Sequence, residues 1–186
     1  MKKLLAVFIL LNVLLISACS NTVSSSENKK NERSVEKISF DVTYQALLQE
    51  LTSNNFRFSE KEVKSFDHDE KLISGVIYMS DNEFEICRAQ VRTFNNRIAQ
   101  VHLNYDISGD EFGYDNFPVI MKVVVYSIKP DIPNNYIEDL EKHSDDFYSK
   151  DYNDLRISLT YSEKYLGTGT IGTAIDCSIV HLDFMD

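Results

Sequence analysis

The sequence predicts an α+β domain, a mostly antiparallel sheet of about five to seven strands with helices packed on one face. Three observations carry this prediction. Phe40, Tyr44, Leu47, Leu48 and Leu51 recur at the spacing of one helical face. Strand-like runs, alternating or apolar on both faces, recur over Phe56 to Ile107 and again over Leu155 to Phe184, separated by Asn-, Asp- and Gly-rich turns. Between these blocks, Phe117 to Lys150 has the length and spacing of helices. The order helix, strands, helices, strands excludes a doubly wound parallel sheet and a pure sandwich.

Ahead of this domain, Lys2 and Lys3 are followed by an apolar run from Leu4 to Ile16, interrupted only by Asn12. A short cationic segment, an apolar core and small residues before a cut site are the parts of an export signal. The run is shorter than the roughly 20 residues a membrane-spanning helix needs. Ile16-Ser17-Ala18-Cys19 then resembles the lipobox of bacterial lipoproteins. The resemblance covers the leader alone, residues 1–18 and Cys19. It implies a diacylglycerol thioether on Cys19, cleavage before it, and an acyl chain such as palmitate on the new amino terminus. It also implies a cell-envelope address, with Ser20 rather than Asp after the cysteine pointing to the outer membrane of a two-membrane bacterium. In a one-membrane bacterium the address is the outer leaflet of the cytoplasmic membrane. Each buried methylene contributes about 0.8 kcal/mol, so one chain holds a protein reversibly and two or three hold it in practice permanently.

Removal of residues 1–18 leaves 168 residues, and the net charge moves from −10 to −12. Residues 19–37 read as the lipidated cysteine and a polar tether, with two valines and no aromatic residue after Cys19. Such a segment buries too little apolar surface to offset its ordering entropy. As a random coil it spans ~20–25 Å. Residues 38–186 are long enough for a single domain with a sizeable core. Their acid excess and lack of a basic run argue against a nucleic-acid partner.

Within the domain, the first helix is expected to start at Asp41 as N-cap and to stop at Asn54-Asn55. Phe56 to Phe66 alternates loosely, and Leu72 to Met79, apolar on both faces, reads as an interior strand. Phe84 to Phe94 and Ile98 to Ile107 form a hairpin. A three-residue Asn95-Asn96-Arg97 loop pairs Val91 with Val101, Ala89 with Leu103 and Cys87 with Tyr105, keeping the apolar faces in phase. The opposite face then carries Arg88, Gln90, Arg92, Gln100, His102 and Asn104, the best candidate for a recognition surface. Its plain alternative is a solvated sheet face.

Ser108 to Asn116 reads as an acidic, Gly-containing loop. Asp106, Ser108, Asp110 and Asp115 do not match calcium-loop spacing, because Gly109 precedes Asp110 and no glutamate takes the twelfth place. In Phe117 to Lys129, Val119, Ile120, Val123, Val124, Val125 and Ile128 favour a strand, yet its length, Pro118 near its start, Asp115 or Asn116 as cap and Pro130 after its end favour a helix. Asn135 with Glu138 starts a second helix, which Ile137, Leu140, Ser144 and Phe147 carry to about Lys150. Its outer side holds Glu138, Asp139, Glu141, Asp145 and Asp146, followed by Asp151 and Asp154, the strongest acidic patch in the chain. Leu155 to Tyr161 alternates as a half-buried strand. Gly167 to Gly172 lacks the Gly-Lys-Ser/Thr ending of a phosphate loop and reads as a hairpin loop. In the final strand Ile175, Cys177 and Ile179 share a face before Val180, Leu182 and Phe184 take over, which predicts a bulge near Ile179–Val180.

With Cys19 lipidated, Cys87 and Cys177 remain. They read either as a disulfide, closing a loop of about 90 residues for about 4 kcal/mol in the chain-entropy model, or as two buried thiols. No catalytic, metal-ligating or cofactor motif is present. His68, His102, His143 and His181 are scattered, and His181 is expected on the polar side of the last strand. The leading expectation is therefore a non-enzymatic envelope lipoprotein. Its domain would bind a protein or peptide partner through the Arg88/Arg92/His102 face or the acidic helix, in assembly, inhibition or immunity. The alternative is an envelope hydrolase or small-ligand carrier with a site in a sheet–helix cleft.

Overall fold

The computed structural model describes residues 38–66, 69–81, 84–106, 111–142, 147–165 and 171–185. Helix α1 (Tyr44–Ser53) leads into β1 (Phe56–Ser65), β2 (Glu70–Met79), β3 (Glu85–Phe94) and β4 (Arg97–Asp106). Helices α2 (Glu111–Ile128) and α3 (Asn134–Lys142) follow, then β5 (Phe147–Tyr152), β6 (Leu155–Tyr165), β7 (Ile171–His181) and a 3-10 turn, Leu182–Phe184. The strands form one antiparallel sheet in the order β1-β2-β3-β4-β7-β6-β5. Two meanders thus meet at the β4–β7 pair, and the helices link them. This is the predicted α+β architecture.

Alternation decides which face each strand buries. Ala89 and Val91, Val101 and Leu103, Cys177 and Ile179, and Leu155, Ile157 and Leu159 are all buried on one face. Against it lie Tyr44, Leu47 and Leu51 of α1, Phe117, Ile120, Val124 and Ile128 of α2, and Ile137 and Leu140 of α3. Burying each such Leu, Ile or Val is worth about 1.5–3 kcal/mol. Helix α1 packs on β1 and α2, and α2 on β3 and β4. Among the described residues no helix is long and apolar enough to cross a membrane.

Several local expectations need correction. The N-cap of α1 is Thr43, whose hydroxyl accepts from Ala46 N–H at 3.2 Å. Asp41 sits earlier, in a segment that bonds to the start of β4 through Phe40 N–H to Ile98 O and Ile98 N–H to Val42 O. Asn54 is the C-cap, and Asn55 follows at φ 67°. The β3–β4 turn has two residues, Asn95 at φ 45° and Asn96 at φ 65°, not three. It places Phe94 opposite Arg97 and Thr93 opposite Ile98, after which Ala99 is the extra residue and Arg92 pairs with Gln100. The bulge restores the predicted Val91–Val101 and Ala89–Leu103 pairs.

Helix α2 begins at Glu111, so Asp115 and Asn116 lie inside it rather than cap it. Pro118 is also internal and leaves one backbone acceptor without its helical donor. The second expected helix stops at Lys142, and Phe147–Tyr152 is the edge strand β5. Strand β7 carries no register shift against β4 or β6, so the bulge near Val180 is absent; Leu182 and Phe184 belong to the 3-10 turn. His181 lies on the buried face, its ring 5.0 Å from that of Phe40. Cys19, the tether, His68, His143, and residues 107–110 and 166–170 lie outside the described residues.

Candidate functional site

The sheet face opposite α1, α2 and α3, which none of these helices covers, is the place where the predicted recognition residues meet. Arg88 pairs with Asn104, Gln90 with His102 and Arg92 with Gln100, so all six lie side by side on β3 and β4. The topology then adds neighbours from distant sequence. His102 stands opposite Ser178 of β7, Ser178 opposite Ser158 of β6, and Ser158 opposite Ser149 of β5. On the other side Gln90 faces Ser74 of β2, and Ser74 faces Glu62 of β1. A row of seven polar residues, one per strand, therefore crosses the sheet from edge to edge: Glu62, Ser74, Gln90, His102, Ser178, Ser158 and Ser149.

Hydrogen bonds order parts of this face. Asp176 Oδ1 accepts from Asn104 Nδ2 at 2.7 Å and lies 3.1 Å from His102 Nε2. Ser149 Oγ and Ser158 Oγ are 3.0 Å apart. Arg156 donates to both carboxylate oxygens of Asp151, from Nε at 2.7 Å and Nη2 at 2.9 Å. That hydrogen-bonded guanidinium holds the Asp151 carboxyl below the usual range. Arg92 Nε lies 3.4 Å from Glu70 Oε1, an ion-pair distance without hydrogen-bond geometry, and its guanidinium stands over the Phe184 ring at 5.4 Å. Arg88 is the most exposed of these cations, 71 % at the side chain and 4.0 Å from Glu85. His102 beside Asp176 thus sits on an open surface rather than in a cleft.

The other candidates do not assemble a site. Cys87 and Cys177 are both free thiols in the core, which corrects the disulfide expectation. Strand β4 stands between β3 and β7, placing the two backbones about 9.5 Å apart, beyond disulfide reach. Burial pushes the Cys177 thiol up to about 12 and raises Cys87 as well, so neither is a nucleophile near neutral pH. In the acidic patch Asp145 and Asp146 lie outside the described residues, while Asp139, Asp151 and Asp154 are paired. Asp139 accepts from Lys150 at 2.5 Å and from Tyr148 at 3.3 Å, and Asp154 from Lys129 at 2.7 Å. Among the described residues no group of three or more His, Cys, Asp or Glu side chains converges as metal ligands.

A groove of about 760 Å³ runs between α1 and α2, lined by Thr43, Ala46, Glu50, Lys122, Tyr126 and Ser127 among others. Among the described residues, its lining includes no histidine or cysteine. No family model, curated protein or solved structure matches the chain.

The six predicted face residues were legible because each alternates with buried neighbours. Asp176, Ser178 and Ser158 carry the same alternation. Their place beside His102 depends on the β4–β7 pairing, which no local pattern announces.

Proposed function

We propose that this chain is a lipid-anchored bacterial envelope protein whose domain binds a protein or peptide partner on the uncovered sheet face. The observation that carries the binding reading is the polar row from Glu62 to Ser149 on the face opposite α1, α2 and α3. Hydroxyls, an amide and an imidazole on rigid strands offer many hydrogen bonds with little side-chain entropy to lose, as partner-binding surfaces require. The leader residues Lys2 to Cys19 support the anchor. The alternative of a hydrolase or carrier would draw on the α1–α2 groove.

The test is crosslinking and capture from envelope fractions. A stoichiometric partner should be retained by the native chain and lost with Arg88→Glu/Arg92→Glu, while substitutions in the α1–α2 groove leave it bound. Loss through the groove instead would overturn the assignment. Separately, Cys19→Ala should leave the membrane fraction; unchanged retention would defeat the anchor reading.

A further inference from the structure

We propose that the segment 182–185 is a resident occupant of one end of the uncovered face, filling a place that a partner segment takes with an aromatic side chain. The inference rests on the partner-binding reading of that face and names the chemistry of the partner. Arg92, Gln100, Val180 and Arg156 are consecutive cross-strand neighbours on β3, β4, β7 and β6. Val180 points to the uncovered side, yet it is only 6 % exposed.

The segment 182–185 lies over this row. The Phe184 ring sits 5.9 Å from that of Phe94 and under the Arg92 guanidinium at 5.4 Å. At the other end Arg156 Nη1 reaches Met185 Sδ at 3.7 Å. An aromatic ring held between a guanidinium and a second ring is a recognition geometry, because both partners favour a π-system over water. The attachment is slight. Leu182 N–H donates to Asp154 O at 2.8 Å, and Asp183 N–H to His181 Nδ1 at 3.3 Å. Residues 182–185 join no strand, so this segment can lift without breaking the sheet ladder.

Arg92 and Arg156 are already partnered by Glu70 and Asp151. The flat face of the Arg92 guanidinium already stands over the Phe184 ring, the place an aromatic side chain of a partner takes. The chain's own Leu182-Asp183-Phe184-Met185 is the pattern for the ligand: an aromatic residue with an apolar residue on one side and an acid on the other.

The probe is a synthetic peptide, Leu-Asp-X-Met-Asp, with X the photoreactive benzoyl-phenylalanine, applied at near-millimolar concentration to the full chain in detergent. In a chain carrying Phe184→Ala and Met185→Ala, ultraviolet labelling should map to residues 92–94 of β3. The native chain should be labelled less, by up to about twofold, because its own segment competes at an effective concentration on the order of millimolar, close to that of the peptide. Adding Arg92→Gln should remove the label. If the double variant loses its native circular dichroism, Phe184→Ala alone serves, and the label should fall in the same place. Equal labelling of native and vacated chains, or label elsewhere or nowhere, overturns the inference. If the peptide fails while Arg88→Glu still abolishes partner capture, the occupant idea falls and the binding face stands; if both fail, both readings fall.

Discussion

Gly75 shows how tightly the buried face is filled. A Cβ at this position would lie 2.3 Å from the carbonyl oxygen of Ser59 and 2.6 Å from the ring of Phe58. The ring can swing, but the carbonyl belongs to the β1–β2 ladder and cannot move without loosening it. Gly75→Ala should therefore cost about 1–3 kcal/mol, read as a lower urea midpoint with an unchanged slope. A lone glycine inside a strand commonly marks such an approach. The ring that fills the space comes from Phe58, two residues from the partner it covers.

At the scale of elements, the β3–β4 hairpin and β5 show what local sequence can and cannot convey. Val91 and Val101, Ala89 and Leu103 face each other as their alternation requires. The turn differs because two consecutive asparagines adopt positive φ, the geometry that suits a two-residue hairpin, and a bulge at Ala99 absorbs the odd residue. The bulge is supported from outside the hairpin, by Phe40 and Val42 bonding to Ile98. Asn96 also ties the turn to α1, accepting from Tyr44 N–H at 3.0 Å and donating from Nδ2 to Gln45 Oε1 at 2.5 Å. Asn96→Ala should cost about 1 kcal/mol from its left-handed backbone, and chemical denaturation measures it. In β5, Phe147 continues the spacing of Ile137 and Leu140, so the segment imitates more helix. What makes it a strand is the ladder to β6, a neighbour no window on β5 contains.

For the whole molecule, the second meander is tied by charge to the end of α2. Asp154, in the β5–β6 turn, accepts from Lys129 after α2 and faces His181 Nε2 at 3.5 Å. Burial pushes the Asp154 carboxyl up, but Lys129, the residue's own backbone and His181 outweigh it and leave it below the usual range. A carboxyl depressed by folding contributes stability that is present above its unfolded value, near 4, and lost as pH falls through the folded value. The midpoint of thermal unfolding should thus fall below about pH 4, and Asp154→Asn should flatten that fall. Its partial exposure keeps the effect modest. The α+β class and most elements were legible because hydrophobic alternation and helical periodicity are local. The strand order, the free cysteines and the reach of the polar row were not, because each depends on β7 inserting beside β4.

The two margins of the sheet have opposite characters at high concentration. Strand β1 shifts register between Glu60 and Glu62, and its outer half alternates Glu60, Lys61, Glu62 and Lys64 around the exposed Val63. A kinked, charge-studded margin is a poor template for another chain. Strand β5 is six residues long, keeps an unbroken register, and presents Phe147 at 64 % exposure. Self-association of crowded copies should begin there. Phe147→Lys should slow concentration-dependent aggregation, while Val63→Lys leaves it unchanged, as light scattering would record. One side of the molecule is fenced against its own kind, and the other is closed chiefly by being short.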